Sequence, residues 1–164
     1  MKNLSRLSIL MLILFYSCNQ GLEPIKEEDK LEISGLITFV NGKDNFPPID
    51  SLKDLRVAFF QEYPDSANIL NDFISGNLIF TDSTLNYNVD TASYSKILET
   101  PPVSFKYICV VQNYGGLLDW KVVGLYTDDT VNYTPKTLFI DKKNGELNKV
   151  NINVNFKNPP PQPF

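Results

Sequence analysis

The strictest constraint on the fold lies near the end of the chain. Val150, Ile152, Val154 and Phe156 alternate with Asn151, Asn153, Asn155 and Lys157. Successive side chains of a strand point to opposite faces, so a period of two predicts a strand with one apolar face. Earlier segments carry related patterns. Leu31 to Val40 sets Ile33, Gly35, Ile37 and Phe39 on one side, with Glu32, Ser34 and Thr38 mostly on the other. Leu55 to Phe60 turns Leu55, Val57 and Phe59 inward. Phe105 to Gln112 is apolar on both faces, with Phe105, Tyr107, Cys109 and Val111 on one and Ile108 and Val110 on the other. That predicts a central strand covered on both sides. Trp120 to Tyr126 is its expected antiparallel partner, across the connection Asn113 to Asp119.

Shorter strands are expected at 77–80, 85–89, 94–98 and 137–141. The last is followed by Lys142-Lys143-Asn144-Gly145, where Asn-Gly supplies the positive φ angles of a tight hairpin. Asn41-Gly42, Pro47-Pro48 and Pro101-Pro102 break the chain between strands. One helix is expected near 66–75. Ser66 stands at its cap, Ile69, Leu70, Phe73 and Ile74 recur at helical spacing, and Gly76 ends it. The expected class is all-β: an antiparallel β-sandwich of about seven or eight strands with at most one short helix. The β domain spans 31–157. A Pro-rich tail follows at 158–164, poor in the backbone donors that extend a sheet.

The N-terminus sets the address. Lys2 and Arg6 precede the apolar run Leu7 to Tyr16, interrupted only by Ser8, and small Ser17 stands before Cys18. Charged start, short apolar run and small residue at the cut are the layout of a signal peptide over 1–17. The run is shorter than the roughly 20 residues that span a bilayer. Leu14 to Cys18 resembles the lipobox of bacterial lipoproteins, differing from its commonest form at Phe15 and Tyr16. The resemblance implies a diacylglycerol thioether on Cys18, cleavage just before it and acylation of the new amine. Several chains hold a protein stably, at about 0.8 kcal/mol per buried CH₂. Cleavage elsewhere with Cys18 incidental, and retention of the uncut segment, are the alternatives. Asn19 rather than Asp after the cysteine points to the outer membrane, with the leaflet open. Asn19 to Lys30 is polar and acidic with Pro24, the composition of a flexible tether over 18–30.

Cleavage before Cys18 leaves 147 of the 164 residues, enough for one domain with a real core. It also leaves 13 basic against 19 acidic residues, a balance of −6. Nucleic acid and anionic lipid both call for the opposite sign. There is no histidine, so Ser-His-Asp, Cys-His and His-ligated zinc sites are excluded. Of the two cysteines, Cys109 lies in the apolar run Tyr107 to Val111 and reads as core. Asp119, Asp128, Asp129 and Asp141 lack the spacing of a calcium loop and read as solvated carboxylates. No carboxylate pair is singled out for glycoside hydrolysis. No metal and no cofactor are expected.

With the strands placed, the chain resembles the prealbumin-like (transthyretin-like) sandwich of carboxypeptidase regulatory-like domains. Ile33-Ser34-Gly35-Leu36-Ile37-Thr38-Phe39 is similar to that group's first strand, and Val150 to Phe156 to its closing strand. Pro101-Pro102-Val103-Ser104-Phe105-Lys106-Tyr107 stands where the group enters a central strand, without its usual glycine. The resemblance implies a non-catalytic module for folding support, adhesion or ligand contact, and brings no catalytic residue with it.

Tyr114, Trp120, Tyr126 and Tyr133 gather in and around 113–135, where Gly115-Gly116 is expected to make the loop adaptable. Aromatic faces beside Asn and Asp suit a protein partner or a sugar. The competing reading packs Trp120 and Tyr126 into the core or its rim. The expected function is a non-enzymatic, lipid-anchored envelope protein acting as a structural or protein-interaction module. The alternative is a surface carbohydrate-binding module using these aromatics.

Overall fold

The structure is a computed structural model and describes residues 31–99, 103–141 and 149–163. The signal peptide, Cys18, the tether, Pro101-Pro102 and the Lys142 to Gly145 turn lie outside the described residues.

Among the described residues, nine strands and one α-helix follow one another: β1 (Leu31–Phe39), β2 (Asp54–Phe60), α1 (Ile69–Ser75), β3 (Leu78–Phe80), β4 (Thr91–Leu98), β5 (Val103–Phe105), β6 (Tyr107–Asn113), β7 (Trp120–Leu125), β8 (Leu138–Ile140) and β9 (Ile152–Val154), with two short 3-10 turns between β1 and β2. Seven of the strands form one sheet in the order β3-β2-β6-β7-β9-β1-β4, and β5 pairs with β8 in a second. The class is all-β, and the large sheet is curled nearly into a barrel.

The pairing departs from the expected antiparallel pattern in one place. β9 lies between β7 and β1, antiparallel to β7 but parallel to β1, with Ile37 opposite Ile152 and Phe39 opposite Val154. Among the described residues, 138–140 and 152–154 do not pair with each other as the expected hairpin would have them. β8 leaves to pair with β5, Val103 opposite Ile140, and β9 enters the large sheet instead. Both β9 edges are therefore taken, which suits an apolar face so regular.

The predicted strand at 105–112 is two strands. Lys106 bends the chain between β5 and β6, and its N–H donates to the Phe60 carbonyl at 2.9 Å. The bend puts Phe105 into the main core while Tyr107, Cys109 and Val111 face away from it. β6 itself is buried along its whole length, as expected for a strand covered on both sides. Leu85 to Val89 does not join a sheet. The Leu85 N–H donates to Leu55 O at 2.7 Å, and Asn88 takes a left-handed φ of 58°, which ends the extended run.

The main core gathers the inner face of the large sheet: Ile33 and Ile37 of β1, Leu55, Val57 and Phe59 of β2, Ile108 and Val110 of β6, and Ile152 and Val154 of β9. Phe105 and Ile140 of the small sheet join the same core. Ala58, Phe60, Leu78, Tyr107, Cys109, Val111 and Val122 form a second cluster on the outer face. A soluble sheet rarely needs an apolar outer face unless something covers it.

The tail is not a free appendage in its described part. Pro160 is buried, and Gln162 reaches β7. Its Nε2 donates to Val122 O at 2.9 Å and its Oε1 accepts the Val122 N–H at 2.8 Å. A side-chain amide thus supplies the pairing that the tail's prolines cannot.

Candidate functional site

The second cluster is only partly covered, and the opening is a groove of about 920 Å³. Alternation along β2 and β6 aims Phe60 and Val111 outward, and β3 and β7 add Phe80 and Trp120. Phe80 and Trp120 are stacked at 5.7 Å between ring centroids with 28° between planes. The groove's walls are α1 on one side and the β6–β7 turn on the other.

α1 forms at the predicted place but not by the predicted cap. Asn68 is its N-cap residue and makes no side-chain cap bond. Asp65 organises the approach instead, accepting the Ala67 N–H at 3.0 Å and the Asn68 amide at 2.9 Å. Gly76, at φ 80°, ends the helix by donating to Phe73 O at 3.3 Å. Helical spacing foretold a packed apolar face, yet no residue of α1 is buried. Phe73 touches Phe80 at 5.9 Å between centroids, while Leu70, Phe73 and Ile74 remain exposed, Ile74 at 75 %.

The β6–β7 turn is built, not adaptable. Asn113 Nδ2 donates to Gly116 O at 2.7 Å, the Gly116 N–H donates to the Asp119 carboxylate, and the Tyr114 N–H donates to Asp119 O at 3.0 Å. The Trp120 indole N–H donates to Leu117 O at 2.8 Å. These bonds hold Leu117 and Leu118 out in solvent, Leu117 at 85 % exposure. Fixed, exposed leucines are what a contact surface presents and what an isolated soluble domain avoids.

One end of the groove is polar. Arg56 Nε is 2.6 Å from Asp54 Oδ2, and Arg56 Nη1 also donates to Thr81 O at 2.9 Å. Lys96 is paired with Asp82 there.

Of the four aromatics singled out in the sequence, the groove brings together Tyr114 and Trp120. Tyr126 packs on the main core with the Lys136 ammonium 5.0 Å from its ring centroid. Tyr133 packs against the second cluster but does not line the groove. Sequence reasoning missed Phe73, Phe80, Leu117 and Leu118. The signal for the last two was present: an apolar pair directly after Gly115-Gly116, in a turn with no other call for leucine.

The remaining candidates are engaged elsewhere. Asp129 accepts the Val131 and Asn132 N–H groups, each at 2.9 Å, and bonds led by the Asn132 backbone hold its carboxyl below the usual range. Asp128 pairs with Lys136 at 2.8 Å. Cys109 is buried, and desolvation pushes its thiol pKa up, away from thiolate chemistry. Among the described residues, no group of three or more His, Cys, Asp or Glu side chains is placed to hold a metal. No helix among them is long and apolar enough to cross a membrane. Set against family models, curated proteins and solved structures, the chain matches none of them.

Proposed function

We propose that this chain is a non-enzymatic, lipid-anchored protein of the cell envelope whose β domain is a protein-interaction module. The observation that carries the interaction is the groove between α1 and the β6–β7 turn, with exposed Leu70, Phe73, Ile74, Leu117 and Leu118 around it. Clustered apolar side chains on structured supports, with a tryptophan among them, are the usual makings of a binding hot spot. Anchoring rests on the lipobox-like stretch ending at Cys18, and the outer-membrane address on Asn19 after it. The finer fold reading, a prealbumin-like sandwich, rests on the Ile33 to Phe39 motif and on the small sheet sharing one core with the large one.

The geometry favours a protein over a sugar. Trp120 has one ring partner already in Phe80, and its N–H is bonded to Leu117 O. A sugar platform needs an open aromatic face with free polar groups beside it. A photo-reactive residue at position 118 in intact cells tests the interaction. One dominant protein adduct is expected, and a smear of adducts or none would sink the reading. The anchor is tested separately: Cys18→Ser should release the protein from membranes and remove the mass of acyl chains.

A further inference from the structure

The groove's charge narrows the class of partner. Its own cations are already engaged, Arg56 with Asp54 and Lys96 with Asp82. Next to its lining residues along the chain stand three carboxylates: Asp65 beside Ser66, Asp72 beside Phe73, and Asp119 between Leu118 and Trp120. None of the three forms an ion pair among the described residues. The hydrogen bonds that Asp65 and Asp119 accept come from amides, which leave the charge in place. Two cations stand in the same relation, Lys53 beside Asp54 and Lys121 beside Trp120, the latter 5.9 Å from the Tyr114 ring centroid, so the carboxylates outnumber them three to two. The surroundings of an apolar groove are therefore net negative.

We propose that the groove receives a basic amphipathic segment of a partner protein, with apolar side chains on its floor and lysine or arginine against Asp65, Asp72 and Asp119. This rests on the interaction reading above and adds the partner's chemistry. Helix-in-groove recognition uses this combination, apolar anchors at one-turn spacing supplying affinity and flanking charge setting specificity. A bilayer is the poorer occupant. Anionic headgroups would meet carboxylates, and the apolar residues converge on a cleft rather than spread over a flat face.

Trp120 is the chain's single tryptophan, so its emission reports this site alone. The test titrates the full chain, held in phosphatidylcholine nanodiscs, with two helical peptides at amphipathic spacing. One is built of leucine and lysine, the other of leucine and glutamate. The expected result is a saturable Trp120 shift with the lysine peptide, about tenfold weaker or more with the glutamate peptide, and weakening as salt rises. Leu117→Ser with Leu118→Ser should abolish it without changing the melting temperature, since both side chains are exposed. Asp72→Lys should move the preference toward the glutamate peptide. Equal response to both peptides overturns the proposal, as does a response that survives the double substitution. So does a Trp120 shift produced by anionic nanodiscs without peptide, which would assign the surface to lipid. A chain that ignores both peptides yet still gives the position-118 adduct loses the basic partner and keeps the interaction module.

Discussion

At the scale of single residues, Gly35 shows how a motif can be read without its reason. In β1 it faces the Val150 carbonyl and the Tyr94 ring, and a Cβ there would collide with the carbonyl oxygen and come within 2.9 Å of Tyr94 Cε1. The Tyr94 hydroxyl donates to that same oxygen at 2.8 Å. Gly35→Ala should destabilise the domain by about 1–3 kcal/mol, because neither the carbonyl nor the bonded ring can retreat freely. Urea unfolding of the two proteins measures this, and an unchanged midpoint would mean that β1 and the 149–150 segment are not so close. The inward alternation of Ile33, Ile37 and Phe39 was legible from the chain. That a backbone carbonyl from more than a hundred residues later fills the gap at Gly35 was not, because nothing local encodes a long-range approach.

Among the elements, legibility tracks how much each segment decides for itself. β1, β2, β6 and β7 carry their own patterns and form within a residue or two of where those patterns predict. Errors arise where a partner decides. The Lys106 bend is set by the Phe60 carbonyl, not by any breaker in Val103 to Tyr107, so two strands read as one. β8 and β9 read as a hairpin because of Asn144-Gly145, yet each found a longer-range partner. α1 was visible as helical periodicity, but periodicity cannot say whether the apolar face meets the core or a groove. The tail's prolines predict no place in a sheet, and Gln162 overrides that through a side chain. Gln162→Ala would leave the Val122 N–H and C=O without those partners beside a fully buried residue. We expect a loss of roughly 1–3 kcal/mol. Hydrogen exchange should show the Val122 amide losing protection. If Val122 stays protected in the variant, the tail is not pairing β7.

For the molecule as a whole, one core shared by both sheets implies that it unfolds as a unit. Val154 is fully buried in that core, in a strand held on both edges, so Val154→Asp should abolish cooperative unfolding rather than lower its midpoint slightly. The same burial predicts a one-sided response to pH. Desolvation raises the phenol pKa of Tyr94, with Tyr126 adding to it, and that of Tyr107, with Cys109 adding to it. The Cys109 thiol is raised by desolvation alone. In each case the neutral form is the one the fold accepts. The unfolded chain releases these protons first, the thiol near pH 8.5 and the phenols near pH 10. The stability these groups contribute is therefore complete below about pH 8.5 and is lost as pH rises through their unfolded values. The melting temperature should hold through neutral pH, begin to fall above about 8.5 and fall more steeply beyond about 10. Cys109→Ala separates the two steps: it should remove the early decline and keep the later one. The phenolate absorbance should show two tyrosines that ionise only as the protein unfolds. A melting temperature indifferent to alkaline pH, or a full tyrosine titration in the folded protein, would mean that water reaches both the main core at Tyr94 and the cluster beneath the groove at Tyr107 and Cys109. The groove would then lack the dry floor on which its proposed use depends.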